Sequence, residues 1–189
     1  MDEKRTKKPL DTYRIVFIAL MAAIVCVVTL FRFPLLGSKV HFANAMCLLA
    51  GLLFGPVGGG LAAGIGSGLY DGLFGGYDIL ECLITFVSKF LMACICGMIA
   101  GTARGRENRV RIPVGAVVGA LSYVALYMLK TYIYQRFVYG YPNDVVWLTM
   151  LSKLPASLIN AVFAMIVAPI LYAALCPALQ RSGMLSRLR

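Results

Sequence analysis

Three lysines, Lys89, Lys130 and Lys153, interrupt segments that are otherwise apolar. An ammonium at the centre of a membrane helix costs about 2.5–3.5 kcal/mol on insertion scales, so a lysine there needs a compensating environment. Each has polar neighbours on its own helical face. Thr85 precedes Lys89 by four residues; Tyr123, Tyr127, Lys130 and Tyr134 follow at i, i+4, i+7 and i+11; Thr149, Lys153, Ser157 and Asn160 form a second stripe. Ser67 and Asp71 share a face of another segment, and Asn44 opens a further one at the same expected level. The helical period turns such scattered polar residues into stripes that can face one cavity. Cations with few acids nearby suit an anionic or electron-rich ligand, and tyrosines suit a flat ring. The candidate binding set is therefore Asn44, Asp71, Lys89, Tyr127, Lys130, Lys153 and Asn160. The competing reading is that the lysines snorkel to the interface, or pair structurally with Asp71 or Glu81.

Signals for other chemistry are weak. There is no HExxH, GxSxG or P-loop pattern. An acid/base site built on Asp71, Asp78 or Glu81 is a third reading, with no recognisable constellation behind it. His41 is the only histidine, and the six cysteines include no CxxC pair, so neither a metal nor a disulfide framework is expected, and no cofactor. Without a P-loop, any active uptake must draw its energy from a partner or an ion gradient.

The elements that carry these residues are apolar runs. Of 189 residues, 60% are hydrophobic and mean hydropathy is +0.82, whereas soluble domains sit near 45–50% apolar. The expectation is an all-α integral membrane protein, a compact bundle of six transmembrane helices near 14–33, 42–55, 57–75, 80–103, 112–136 and 145–177. Residues 1–13 would form a basic cytoplasmic N-terminus, 14–180 the membrane domain and 181–189 a basic cytoplasmic tail. The run 15–31 resembles a signal peptide but is long enough to span, and reads as a retained first helix.

Net charge is +10, and twelve of the 18 basic residues fall in three patches: Lys4, Arg5, Lys7, Lys8 and Arg14; Arg104, Arg106, Arg109 and Arg111; Arg181, Arg187 and Arg189. Each abuts an apolar run, which argues for lipid headgroups and topology rather than nucleic acid. An even number of spans puts all three patches on the cytoplasmic side and leaves only Arg32, Lys39 and Arg136 outside. Gly60, Gly64, Gly68, Gly72 and Gly76 recur every four residues, a spacing that lets helix backbones approach closely in lipid.

Ala19 and Ala23 make a small-xxx-small pair in the first span. Together with His41-Phe42-Ala43-Asn44-Ala45, Leu52-Leu53-Phe54-Gly55-Pro56-Val57-Gly58-Gly59, Gly64-Ile65-Gly66-Ser67-Gly68-Leu69-Tyr70-Asp71 and Thr85-Phe86-Val87-Ser88-Lys89, it resembles the substrate-binding S component of energy-coupling factor (ECF) vitamin importers. The resemblance covers spans one to four best; the last two match only in type. It implies a prokaryotic plasma-membrane protein that binds a water-soluble vitamin or precursor at the outer side, of the riboflavin, thiamine-precursor, pantothenate or folate class. It implies docking, through the Ala19/Ala23 face, on a membrane T component bearing two ABC ATPases. Asn44, Asp71, Lys89, Lys130, Lys153 and Asn160 fit the expected site by position. The alternative is a stand-alone small oligomeric transporter or channel.

Overall fold

The computed structural model describes residues 12–35, 38–102 and 108–185. Most of the expected basic N-terminus, Arg104 and Arg106, and the end of the basic tail lie outside the described residues. Among the described residues, five helices are long and apolar enough to cross a membrane. They are α1 (Thr12–Leu30), α2 (Ala43–Tyr70), α3 (Ile79–Ala100), α4 (Arg111–Ile133) and α5 (Asn143–Arg181). Single π-helical turns extend α2 through Asp71–Gly75 and α4 through Tyr134–Val138.

The expected six spans differ from this at one place. Spans 42–55 and 57–75 are the halves of α2, which Gly55 interrupts with φ 75° and ψ −174°. Only glycine adopts such a backbone without strain, and Pro56 removes the next amide donor. The chain reverses there. Cys47 Sγ lies 3.8 Å from Ser67 Oγ, although twenty residues along a straight helix span about 30 Å. The halves touch backbone to backbone: a methyl group on Gly59 would sit 2.4 Å from the Ala50 carbonyl oxygen and from Gly51 Cα.

The hairpin made by α2 is the centre of the molecule, with 78% of its most apolar window buried against 28–33% for the other helices. Small residues explain how. Gly51 meets the Ala93 carbonyl of α3, Gly66 the Ala22 carbonyl of α1, and Gly115 the Cys96 carbonyl across α3 and α4. Of the predicted four-residue glycine repeat, Gly60 and Gly64 seat the rings of Phe90 and Phe86, while Gly68 and Gly72 have ordinary clearance and Gly76 ends the π turn. Around this centre the outer helices present large apolar side chains outward, among them Leu20, Val27, Leu83, Leu129 and Ile166, as a lipid solvent requires.

Local signals set the helix limits. Asp78 caps α3 by accepting the Glu81 amide at 2.7 Å, and Pro142 leads into α5. The all-helical expectation omitted one feature. Strands β1 (Arg32–Leu35) and β2 (Ser38–His41) pair antiparallel, Arg32 opposite His41, and form a hairpin between α1 and α2.

Candidate ligand cavity

A cavity of about 660 Å³ opens at the end of the bundle where α1 and α4 finish and α3 and α5 begin. Asp71, Lys89, Tyr127, Lys130, Lys153 and Asn160 all line it. The stripes read from the sequence therefore converge, with two adjustments. Thr149 is not part of the lining; it is half-buried and donates back to the Val145 carbonyl at 2.9 Å. Asn44, 2% exposed, stands behind the wall and accepts a hydrogen bond from Lys89 Nζ.

Lys89 marks the deep end. The side chain is 3% exposed, and its amine lies 3.8 Å from the centroid of the Tyr123 ring, a cation–π contact. Tyr123 stacks with Tyr127 at 6.3 Å between centroids. Lys89 thus has an amide oxygen and an aromatic face as neighbours, both neutral. The four-residue steps from Thr85 to Lys89 and from Tyr123 to Tyr127 bring these groups to the inner faces of α3 and α4.

The mouth is different in character. Lys130 Nζ lies 3.5 Å from Glu81 Oε1, and 5.5 and 6.0 Å from the Tyr134 and Tyr77 rings. Arg32, read as an outer-loop cation, instead lines the cavity with its guanidinium 5.0 Å over the Tyr70 ring. Partial burial, and then the Asp71 carboxylate, raise the Tyr77 phenol above its usual value, against Arg32 and Lys130. Tyr77 therefore stays a neutral donor at physiological pH. The hairpin is tied to α5 by the His41 amide, which donates to Asn160 Oδ1 at 2.9 Å. Tyr134 Oη and Gln135 Oε1 are buried in the wall without a hydrogen-bond partner. Buried polar atoms of this kind are normally satisfied, so a ligand or water is expected to meet them.

Arg32, Tyr70, Tyr77, Gln135 and Tyr139 belong to the lining and were not in the predicted set. All sit at helix ends or in the hairpin, where lipid imposes no charge penalty to draw attention to them. The volume falls within the roughly 300–1,000 Å³ usual for small-molecule sites. Tyrosine faces, hydroxyls from Thr29, Ser67, Thr85, Ser88 and Ser157, and four cations against two carboxylates suit a flat, electron-rich solute with hydrogen-bonding substituents. Among the described residues no cluster of His, Cys, Asp or Glu could hold a metal ion.

Ala19 and Ala23 lie away from the cavity, exposed on α1 beside Val16, Leu20 and Val27. Ala22, between them in sequence, faces inward against Gly66.

A search of curated protein sequences found no match. Among solved structures, one described as the S component of a bacterial ECF transporter superimposes with a TM-score of 0.69, at 21% identity, covering 88% of this chain and 96% of that one. That similarity carries the fold. A family model described as "ECF-type riboflavin transporter, S component" matches residues 9–176, nearly the whole chain and every helix around the cavity. The family is a membrane-embedded transport component rather than an enzyme, and the chain belongs to it: it is an S component of the ECF-type riboflavin transporter family.

Proposed function

We propose that the protein captures riboflavin, or a vitamin of closely similar shape, at the outer face of a prokaryotic plasma membrane. It releases the ligand inward as the substrate-binding subunit of an ATP-driven importer. The observation that carries this is the 660 Å³ cavity at one end of the bundle, walled by six tyrosines, Tyr70, Tyr77, Tyr123, Tyr127, Tyr134 and Tyr139, and by the three membrane-depth lysines. Aromatic faces can sandwich a tricyclic ring, and the hydroxyl and ammonium donors can meet ring carbonyls and a polyhydroxylated chain. Among the vitamin classes open from sequence, riboflavin is favoured because the matching family model carries that name. A thiamine precursor, pantothenate and folate are the alternatives.

The energising machinery is a membrane T component with two ABC ATPases, as S components of this type require, and the exposed Ala19/Ala23 surface is where they dock. The concentration of basic residues favours both chain ends on the cytoplasmic side, with both halves of α2 crossing the bilayer. The cavity then faces outward.

Purified protein in detergent should quench riboflavin fluorescence on titration and melt at a higher temperature with riboflavin present. Mass spectrometry of co-purifying small molecules should find a flavin. A protein indifferent to every vitamin in such a screen would end this reading. Uptake into vesicles that contain no ATPase would instead support the stand-alone transporter.

A further inference from the structure

The end of the bundle opposite the cavity has its own polar link between helices. The reversal at Gly55 leaves the last carbonyls of the first half of α2 without helical donors. Two of them are met from neighbouring helices. Thr102, just past α3, donates to the Gly51 carbonyl at 3.3 Å, and Arg14 Nη2 of α1 donates to the Phe54 carbonyl at 3.4 Å. A cation suits the C-terminal end of a helix. The same guanidinium lies over the start of the second half. A methyl group on Gly58 would sit 3.5 Å from Arg14 Nη2 and 3.3 Å from Ile18 Cδ1. Arg14 therefore spans the break.

This contact adds little to stability. The hydrogen bond is long, and Arg14 Nε is buried without a hydrogen-bond partner, a penalty of the same order as the gain. A long apolar side chain would pack there as well. What the guanidinium supplies is position. Arg14 falls in line with Ile18, Met21 and Val25 at the helical spacing, and those three are buried. Ala19 and Ala23 are exposed on the other side of α1. Midway along α1 the packing is backbone to backbone, the Ala22 carbonyl against Gly66. Ala22 lies between Ala19 and Ala23 in sequence, so a body pressing on their face pushes across a pivot with no interlocking side chain. Arg14 is about 12 Å further along the helix and fixes the angle of α1 at a second point.

We infer that Arg14 is a positioning residue for transport: by holding the Phe54 carbonyl it locks α1 to the break in α2, so that a partner seated on the Ala19/Ala23 face moves α2 and not α1 alone. α2 carries Ser67 and Tyr70 of the cavity wall, so the lock connects the docking face to the ligand. The inference rests on the docking reading above.

The test gives the full-length Arg14→Met chain three readouts: riboflavin quenching in detergent, co-purification with the T component and ATPases, and riboflavin uptake in cells that supply them. Lys4, Arg5, Lys7 and Lys8 remain in this variant, so the basic N-terminus is kept. Riboflavin titration and co-purification should match the wild type. Uptake should fall about tenfold or more, the rate equivalent of one lost hydrogen bond to a charged group. Arg14→Lys keeps a charged donor and should recover most of the uptake. Thr102→Val removes the α3 donor to the same break but leaves Gly97 packed directly on Gly51 and Pro56, and should transport normally. Should the Met protein not be recovered, Arg14→Gln must show the same split between binding and uptake, or the inference falls. Normal uptake in Arg14→Met overturns the inference and leaves the docking reading standing. Loss of co-purification overturns it too, by making Arg14 a partner contact. So does a parallel loss of riboflavin binding, or an equal loss of uptake in Thr102→Val, since either makes the role purely structural. A wild-type chain that fails to co-purify with the T component removes the docking reading, and the inference with it.

Discussion

Lys89 shows how a side chain that lipid should exclude is kept in place. Its amine is buried against Asn44 Oδ1 and the Tyr123 ring, so removing the acceptor leaves a charge with one neighbour fewer. Asn44→Ala should destabilise the protein by about 1–3 kcal/mol, read as a lower melting temperature in detergent. Adding Lys89→Met to that variant should recover part of the loss, because a buried charge is more harmful than a methyl group of similar size. Strict additivity of the two changes would contradict the described contact. The Lys130–Glu81 pair, about one-fifth exposed on each side, is a weaker element. Glu81→Gln should shift the melting point by no more than about 1 kcal/mol equivalent.

These residues were legible in the sequence because a charge within a span has few innocent explanations. Arg32 and Tyr77 were not, since a cation or aromatic ring at a helix end is ordinary membrane-interface chemistry.

Among the elements, α2 depends most on the absence of side chains. Gly59→Ala would place a methyl 2.4 Å from the Ala50 carbonyl oxygen, whereas Gly68→Ala meets nothing nearer than 3.6 Å. The first should cut the monodisperse yield of a fluorescent fusion on size exclusion sharply, through overpacking of about 1–3 kcal/mol or more. The second should leave it nearly intact. Similar yields for both would mean that the halves of α2 do not touch as described. The break at Gly55-Pro56 could be read from the sequence, since that pair interrupts an apolar run. The β1–β2 hairpin could not. Its strands have four residues each, too short for alternation to stand out, and its place is set by pairing and by the His41–Asn160 bond. The convergence of α3, α4 and α5 on one cavity was expected from their polar stripes, but which stripe member would drop out, Thr149, depended on where α5 begins to face the other helices.

For the molecule as a whole, the ligand cavity and the exposed Ala19/Ala23 surface are separate regions. Ala19→Leu and Ala23→Leu should therefore leave riboflavin titrations unchanged while abolishing uptake in cells that supply the T component and ATPases. Loss of both activities together would place the Ala19/Ala23 surface in the ligand site instead. Backbone-to-backbone packing has a mechanical corollary. Where Gly51 meets the Ala93 carbonyl and Gly97 meets Gly51 and Gly55, there is no flexible side chain to act as a lubricant, so α2 and α3 cannot slide past each other without collision. Shear is closed to this pair. For the delivery proposed above, the α2–α3 body is therefore expected to turn as one piece, with deformation confined to the segments at its rim. Spin labels on α2 and α3 should keep their separation through the transport cycle while labels on the β1–β2 hairpin change theirs.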